Sequence, residues 1–525
     1  MEKRAAVAIF LSLLVLIAFN YFFAKKLPKK EEVIRREEVL KKEAIQPRIP
    51  EKETPHALAE VPRRKDVLTE ITTDLYKLDL SGDGTIQRLG LKDFRREGEE
   101  FFSVISADLP LRPLEFIGWG KEIRFLADKK SLLLNKENEI GKLTLKGKSK
   151  DGLIVTKKFI FHNNDYSFDL EIKIINPSSF EKEIDKMAIL CGSGFSSEKE
   201  GARRFNVEEN QISIGGEISR FRVGKVKEKR TINRTEWVAQ KSQYLLLFLK
   251  PVSETDSFIY PEKEKLIIGV DVPPFIVPEN GSLEKRFFFY GGPADYEIAK
   301  AEGKGVEKTL EGGLFVTLGK FILKILTFFY QLVGNWGWAI IILTILVKIL
   351  LFPLSRSSFR SISQMQKLQP YLKDLKTKYK GNTQMMNKEM MELYRKYKIN
   401  PLGGCLPMLA QMPVFIAFFF ALRSAVFLRG AKFIFWIKDL SLPDTVIAIS
   451  NFPGGGINIL PLLMGASMIV QQKMTTTDPS QKMMAMMMPI FFTFIFYTFP
   501  SGLLLYWLVM NILSIAEQRL ATGKK

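Results

Sequence analysis

Five long apolar runs, about 335–354, 405–425, 457–472, 484–499 and 502–518, crowd the C-terminal part of the 525-residue chain and constrain it more than any other feature. Their hydrophobic residues are continuous rather than alternating, and roughly 20 such residues cross a bilayer as a helix. In hydrocarbon only helices and closed barrels satisfy their own backbone groups, so runs of this kind predict a helical membrane protein. One run, "AIIILTILVKILLFPLS" (339–355), carries a lysine, Lys348. A charge at the bilayer centre costs about 2.5–3.5 kcal/mol on insertion scales, so either Lys348 escapes to the interface or something inside the membrane uses it.

The chain opens with Lys3 and Arg4 followed by apolar sequence to Ala24. That run is longer than the apolar core of a cleaved signal, about 7–15 residues, and Phe22-Phe23-Ala24 breaks the small-x-small cleavage pattern. Residues 1–24 are therefore expected to be an uncleaved signal-anchor helix. Residues 25–66, dense in Lys, Arg, Glu and Pro, have the composition of a linker. From 67 to 308 the period becomes two. In "YSFDLEIKI", Tyr166, Phe168, Leu170, Ile172 and Ile174 face one way while Ser167, Asp169, Glu171 and Lys173 face the other. "LIVTKKFIF" precedes it across a turn at 162–165, and "LYKLDLSGDGTIQRL", "SQYLLLFL", "KLIIGVDV" and "LEKRFFFY" continue the series. Many strands and few helical patterns predict a large all-β domain, a two-sheet sandwich. Residues 309–334 are apolar but carry Lys320 and Lys324 on one helical face, which fits an amphipathic helix in the outer interface, a helix that docks the β domain onto the membrane core, or both.

Charge sets the expected topology. Over 353–400 the chain has 11 Lys+Arg against Asp374, Glu389 and Glu392, a net of +8, whereas Arg429, Lys432 and Lys438 against Asp439 and Asp444 leave the 426–456 loop at +1. The positive-inside rule puts the first loop in the cytoplasm and the second outside, and an anchor plus five spans leaves both termini cytoplasmic. The insert 355–404 reads as a helical hairpin. Phe359, Ile362, Met365, Leu368, Leu372 and Leu375 recur at three- or four-residue spacing, as do Met386, Met390, Leu393 and Tyr397, with Gly381-Asn382 at the turn. Arg356, Arg360 and Lys373 would face the cytosol as its basic contacts, with Met365, Met386 and Met390 on its apolar seam.

Several chemistries find no support. Two cysteines, Cys191 and Cys405, and two histidines, His56 and His162, leave no set of the usual zinc ligands. No phosphate-binding loop, HExxH, GxSxG or GxGxxG stretch occurs, and no catalytic residue, cofactor or metal is expected. The spans hold no acid before Glu517, which disfavours an ion-coupled transporter.

The stretches "VGNWGWAIIILTILVKILLFPLS" (333–355), "NPLGGCLPMLAQMPVFIAFFFAL" (400–422), "FWIKDLS" (435–441) and "FPSGLLLYWLVMN" (499–511) resemble the YidC/Oxa family of membrane protein insertases. The anchor and β domain resemble the Gram-negative form of that family. The resemblance implies a bacterial inner-membrane protein with a five-helix core at 335–525, a cytoplasmic hairpin and a periplasmic supersandwich. The core would enclose a hydrophilic groove open to the cytosol and the lipid. It also implies insertion and folding of nascent membrane proteins, alone or beside the Sec translocon, in contact with ribosome and lipids and without ATP hydrolysis. Lys348 stands where the family usually has an arginine, Thr344 matches a family groove position, and Tyr506-Trp507 replaces two aromatics that are commonly both tyrosine.

Thr344 and Lys348, four residues apart, share a helical face, and with Gln411, Tyr506, Trp507 and Asn511 they are the candidate groove residues. Lys348 also lies only about 7–8 Å from the helix end at Pro353, so its ammonium snorkelling to the headgroups stays open. A competing function is a membrane-anchored assembly chaperone or Sec accessory that acts through its β domain without a groove.

Overall fold

A computed structural model describes residues 67–522 apart from 106–108, 110, 196–207, 398–405, 450–451 and 476–481. The expected anchor, linker and Cys405 lie outside the described residues.

Strands between Val67 and Pro293 form a five-stranded sheet, a thirteen-stranded sheet and a small two-stranded sheet. The hairpin β1 (Tyr76–Ser81) and β2 (Ile86–Leu91) belongs to the first sheet, and β3 (Ile154–His162), β4 (Ser167–Ile175) and β5 (Ser282–Pro293) are neighbours in the second. Alternation decides which face is buried. Phe168, Leu170, Ile172 and Ile174 of β4 point into the core while Asp169 and Lys173 stay exposed. Leu78, Leu80 and Leu89 of the smaller sheet share one hydrophobic core with Phe159, Phe161 and Phe168 of the larger, so the two sheets form the expected sandwich.

The same alternation buries a lysine. Lys157 occupies an inward position of β3 and donates to the carbonyls of Gly84 and Leu114, each at 3.0 Å, with its ammonium 4.0 Å from the Phe116 ring centre. Burial pushes its pKa down to about 7, against the pull of Asp83 and Glu115. A second displaced group is Glu302, at the end of α1 (Tyr296–Glu302), which accepts the Tyr166 N–H at 2.6 Å. Burial pushes this carboxyl up to about 7.

The helical part begins with α2 (Leu314–Val333) and α3 (Trp336–Lys367). It continues with the short α4 (Gln369–Lys378) and α5 (Thr383–Lys396), then α6 (Leu406–Ser424), α7 (Ile459–Thr475), α8 (Lys482–Phe496) and α9 (Ser501–Thr522). By length and apolarity α2, α3 and α9 could each cross a membrane. Both ends of α2 nevertheless meet the end of the bundle nearest the β domain. Gly319, near its start, lies against the backbone of Ala417 and Ala421 in α6, where an added Cβ would come within 3.2 Å. Tyr330, near its end, stacks at 3.9 Å on Trp336, the first residue of α3. A spanning helix would carry one end to the opposite side, so this packing suits a helix lying across the bundle.

The helix α3 does not stop near Pro353, where the apolar run ends, but continues to Lys367. Proline removes a single N–H, and the apolar spacing beyond it still supplies a buried helical face through Ser358, Phe359 and Ile362. The hairpin then closes through α4 and α5. Gly381 turns the chain with φ of +99°, and Asn382 caps α5 by accepting the Met385 N–H at 3.0 Å. Its seam contains Met365, Leu368, Leu372, Met390, Leu393 and Tyr394. Tyr394 thus takes the buried place expected of Tyr397, which is exposed beside Tyr371, because α5 turns its 390–394 edge to α4. Met386 is half-buried and Arg356, Arg360 and Lys373 are exposed.

Polar contacts join the β domain to the loop between α6 and α7. Arg429, only 4% exposed, donates to Glu99 at 2.7 and 3.0 Å and to the Phe94 carbonyl at 2.7 Å, with its guanidinium 3.8 Å from the Phe102 ring centre. Gly430 follows with φ of +71°, and a Cβ there would lie 2.6 Å from the Arg95 carbonyl. Arg96 pairs with Asp439 at 2.8 Å, and the Gln243 amide donates to the Arg423 carbonyl at the end of α6.

Candidate intramembrane site

Apolar packing in the bundle is concentrated towards the β domain. Ala339, Ile340 and Leu343 open α3, Phe418 and Leu422 close α6, Leu460 and Met464 open α7, and Leu503, Leu504 and Leu505 open α9; all belong to one core. Aromatic rings seal it. Tyr506 stacks on Phe418 at 4.1 Å, and Trp507 lies 4.5 Å from Phe415 and 4.8 Å from Phe496. Asp444 fixes the rim, accepting from Trp436 at 2.8 Å and from the Ile459 and Leu460 N–H groups at the start of α7.

Away from the β domain, polar side chains replace this packing along α9. The Gln411 amide donates to the Tyr506 hydroxyl at 3.3 Å, and the Asn511 amide donates to Ser467 at 3.0 Å. Lys348 Nζ donates to the Ser514 hydroxyl at 2.9 Å and lies 2.7 Å from Glu517 Oε2. Beyond Tyr506, Trp507 and Met510, which belong to the apolar core, this stripe runs from Asn511 to Glu517 over about 9 Å of helix length within an arc of roughly 120°. Ile512, on the other side of α9, is 52% exposed.

The structure therefore brings Gln411 to Tyr506 and places Lys348 and Asn511 in polar contacts further along α9. Thr344 is buried, and its hydroxyl donates to the Ile340 carbonyl at 2.7 Å on its own helix, leaving no proton for a groove. Lys348 turns towards α9 and its side chain is 12% exposed. It borders the apolar face of α3, where Ile349 and Leu350 are 65% and 78% exposed. Sequence reasoning missed three partners in the site, Ser467, Ser514 and Glu517. The one legible signal was Glu517, an acid at the end of an apolar span. Among the described residues no cluster of three or more His, Cys, Asp or Glu could hold a metal ion.

Fold and site together define a polytopic helical membrane protein, closed by apolar packing beneath a large β domain and polar in the opposite part of its bundle. The family model of the 60Kd inner membrane protein matches residues 328–525, and that of the YidC periplasmic domain matches 68–325. The membrane protein insertase YidC of Pelobacter propionicus is 34% identical over 99% of this chain and 98% of its own, and that of Geotalea uraniireducens is 32% identical over the same shares. The crystal structure of an active YidC insertase with its first transmembrane domain resolved aligns with 85% of this chain and 90% of its own, at 18% identity and a TM-score of 0.38. The chain belongs to the YidC family of membrane protein insertases. It is accordingly an inner-membrane protein with a periplasmic β domain.

Proposed function

We propose that this protein inserts and folds membrane proteins by receiving the translocated polar segment of a substrate in the polar part of its bundle, from the hairpin side, while the substrate's apolar span leaves sideways along α3 into lipid. The observation that carries this reading is the uneven bundle: apolar and aromatic beneath the β domain down to Met510, polar from Asn511 to Glu517, with Lys348 at the border of an exposed apolar face. A polar recess in that part shortens the hydrocarbon path of a polar tail. Burial of the apolar span, at about 25 cal/mol per Å² removed from water, supplies the driving force, so no nucleotide is hydrolysed. The basic hairpin, with Arg356, Arg360 and Lys373 exposed, suits the ribosome and the emerging chain, and the exposed face of α3 suits lipid. Work beside the Sec translocon rests on family likeness alone.

The test is insertion of a single-span substrate by the full-length protein reconstituted in liposomes without nucleotide, with photo-crosslinkers at Gln411, Lys348 and Tyr506. Insertion accompanied by crosslinks from these positions is expected. Insertion that proceeds without crosslinks from any of these positions would reject the groove and favour the assembly-chaperone reading.

A further inference from the structure

Lys348 already has an anion. Glu517 Oε2 lies 2.7 Å from its ammonium, the two side chains are 12% and 7% exposed, and they belong to different helices, α3 and α9. The Ser514 hydroxyl accepts from Lys348 at 2.9 Å and donates its own O–H to the Met510 carbonyl at 2.8 Å, so it adds a dipole but no charge. Both carboxylate oxygens are buried and neither meets a hydrogen-bond donor in good geometry among the described residues, so the close charge of Lys348 is what holds the carboxylate. A carboxylate from outside would have to occupy the position that Glu517 holds, and an incoming ammonium would find Glu517 instead.

We infer that Glu517 is a specificity-determining residue, a built-in counter-ion that competes with acidic side chains of the translocated segment for Lys348. This rests on the reading that the segment enters the polar part of the bundle. A neutral tail leaves the pair intact. An acidic tail exchanges one ion pair for another and strands the Glu517 carboxylate with little water, while a basic tail does the same to Lys348. The pair therefore levels the response to tail charge. A lone lysine would favour acidic tails and penalise basic ones.

The experiment measures insertion by the full-length protein in liposomes of one substrate whose tail carries two aspartates, no charge, or two lysines. Each rate is divided by that of the neutral tail. The wild type should treat the charged tails alike. Glu517→Gln should raise the acidic-to-basic ratio by at least about two- to five-fold, the range of a fully exposed ion pair, because this pair is only 12% and 7% exposed. Lys348→Met should lower it by a similar factor, and the double variant should return it to the wild-type value. An unchanged ratio in Glu517→Gln overturns the proposal whatever Lys348→Met does. If Glu517→Gln fails to accumulate, Glu517→Asp withdraws the carboxylate by one methylene while keeping the charge. It should move the ratio the same way by a smaller factor, and no movement overturns the proposal. Loss of neutral-tail insertion in the wild type would instead reject the proposed function, and insertion without crosslinks from Gln411 or Tyr506 would reject the entry route.

Discussion

Glu99→Gln removes the carboxylate that accepts two hydrogen bonds from Arg429, and it tests whether charge holds the β domain on the helical bundle. Burial raises the pKa of Glu99, but Arg429 and the Arg96 N–H outweigh it and hold the carboxyl below its ordinary range, so Glu99 is a carboxylate at neutral pH. Breaking a fully buried pair by removing one partner costs about 3–5 kcal/mol, because the remaining charge stays desolvated. Arg429 meets that condition at 4% exposure, but Glu99 is 34% exposed and partly screened by water. The expected cost is therefore about 2–3 kcal/mol. That is a factor of roughly 30–150 in the local docking equilibrium. Hydrogen exchange of the full-length protein in a bilayer disc is the assay. The loop closes on itself through the Leu440 N–H to Ala431 and the Phe433 N–H to Ile437, at 3.0 and 2.9 Å, and these amides report its opening. They should exchange faster by about that factor, with β3 and β4 unchanged. Unchanged exchange between 429 and 440 would refute the reasoning and shift the docking energy to apolar contacts or to Arg96–Asp439.

Lys348→Arg should retain insertion, whereas Lys348→Glu should fall below Lys348→Leu for acidic tails because it places a second carboxylate beside Glu517; equal relative loss for all tails would rule out an electrostatic role. Replacing 356–398 by a short Gly/Ser linker should abolish liposome insertion while the protein stays in the membrane, given the net +8 charge and the apolar seam; full activity would show the hairpin is dispensable. Removing about 70–300 should preserve much of the insertion, since the polar stripe lies on the far side of the bundle from the β domain; complete loss in a stably expressed variant would make the domain part of the machine. Two buried groups, Glu302 and Lys157, should together contribute a minimum near pH 7 to the β domain's stability. Glu302, with its folded pKa raised to about 7, contributes stability that is lost as pH rises from the ordinary carboxyl range to that value. Lys157, with its folded pKa lowered to about 7, contributes stability that is lost as pH falls from the ordinary lysine range to that value. Glu302→Gln should flatten the acid limb and Lys157→Met the alkaline one, each limb being on the order of 3–5 kcal/mol; hydrogen exchange of β3 and β4 across pH in the full-length protein measures both.

Local pattern made much of this protein legible. Period two in "YSFDLEIKI" placed Phe168, Leu170, Ile172 and Ile174 in the sandwich core, because neighbouring strand residues cannot share a face. The apolar runs gave the helices, since helix formation in lipid is a property of each segment alone. The 3.6-residue spacing gave the hairpin, but it could not distinguish Tyr394 from Tyr397, which differ only in the edge that α5 turns to α4. The motifs that carry the family resemblance pointed to Lys348, Gln411, Tyr506 and Asn511, yet they could not say what each would touch. Lys348 is more than a hundred residues from Glu517 and Ser514, and its pairing with them depends on how α3 and α9 pack. Thr344 looked equivalent to Lys348 by spacing, but a hydroxyl in a helix can bond its own i−4 carbonyl, and burial left it only that partner. The contacts of Arg429 and the place of Lys157 were likewise beyond the sequence, because a charge tolerates burial only where distant segments supply its partners, here Glu99 for one and the carbonyls of Gly84 and Leu114 for the other.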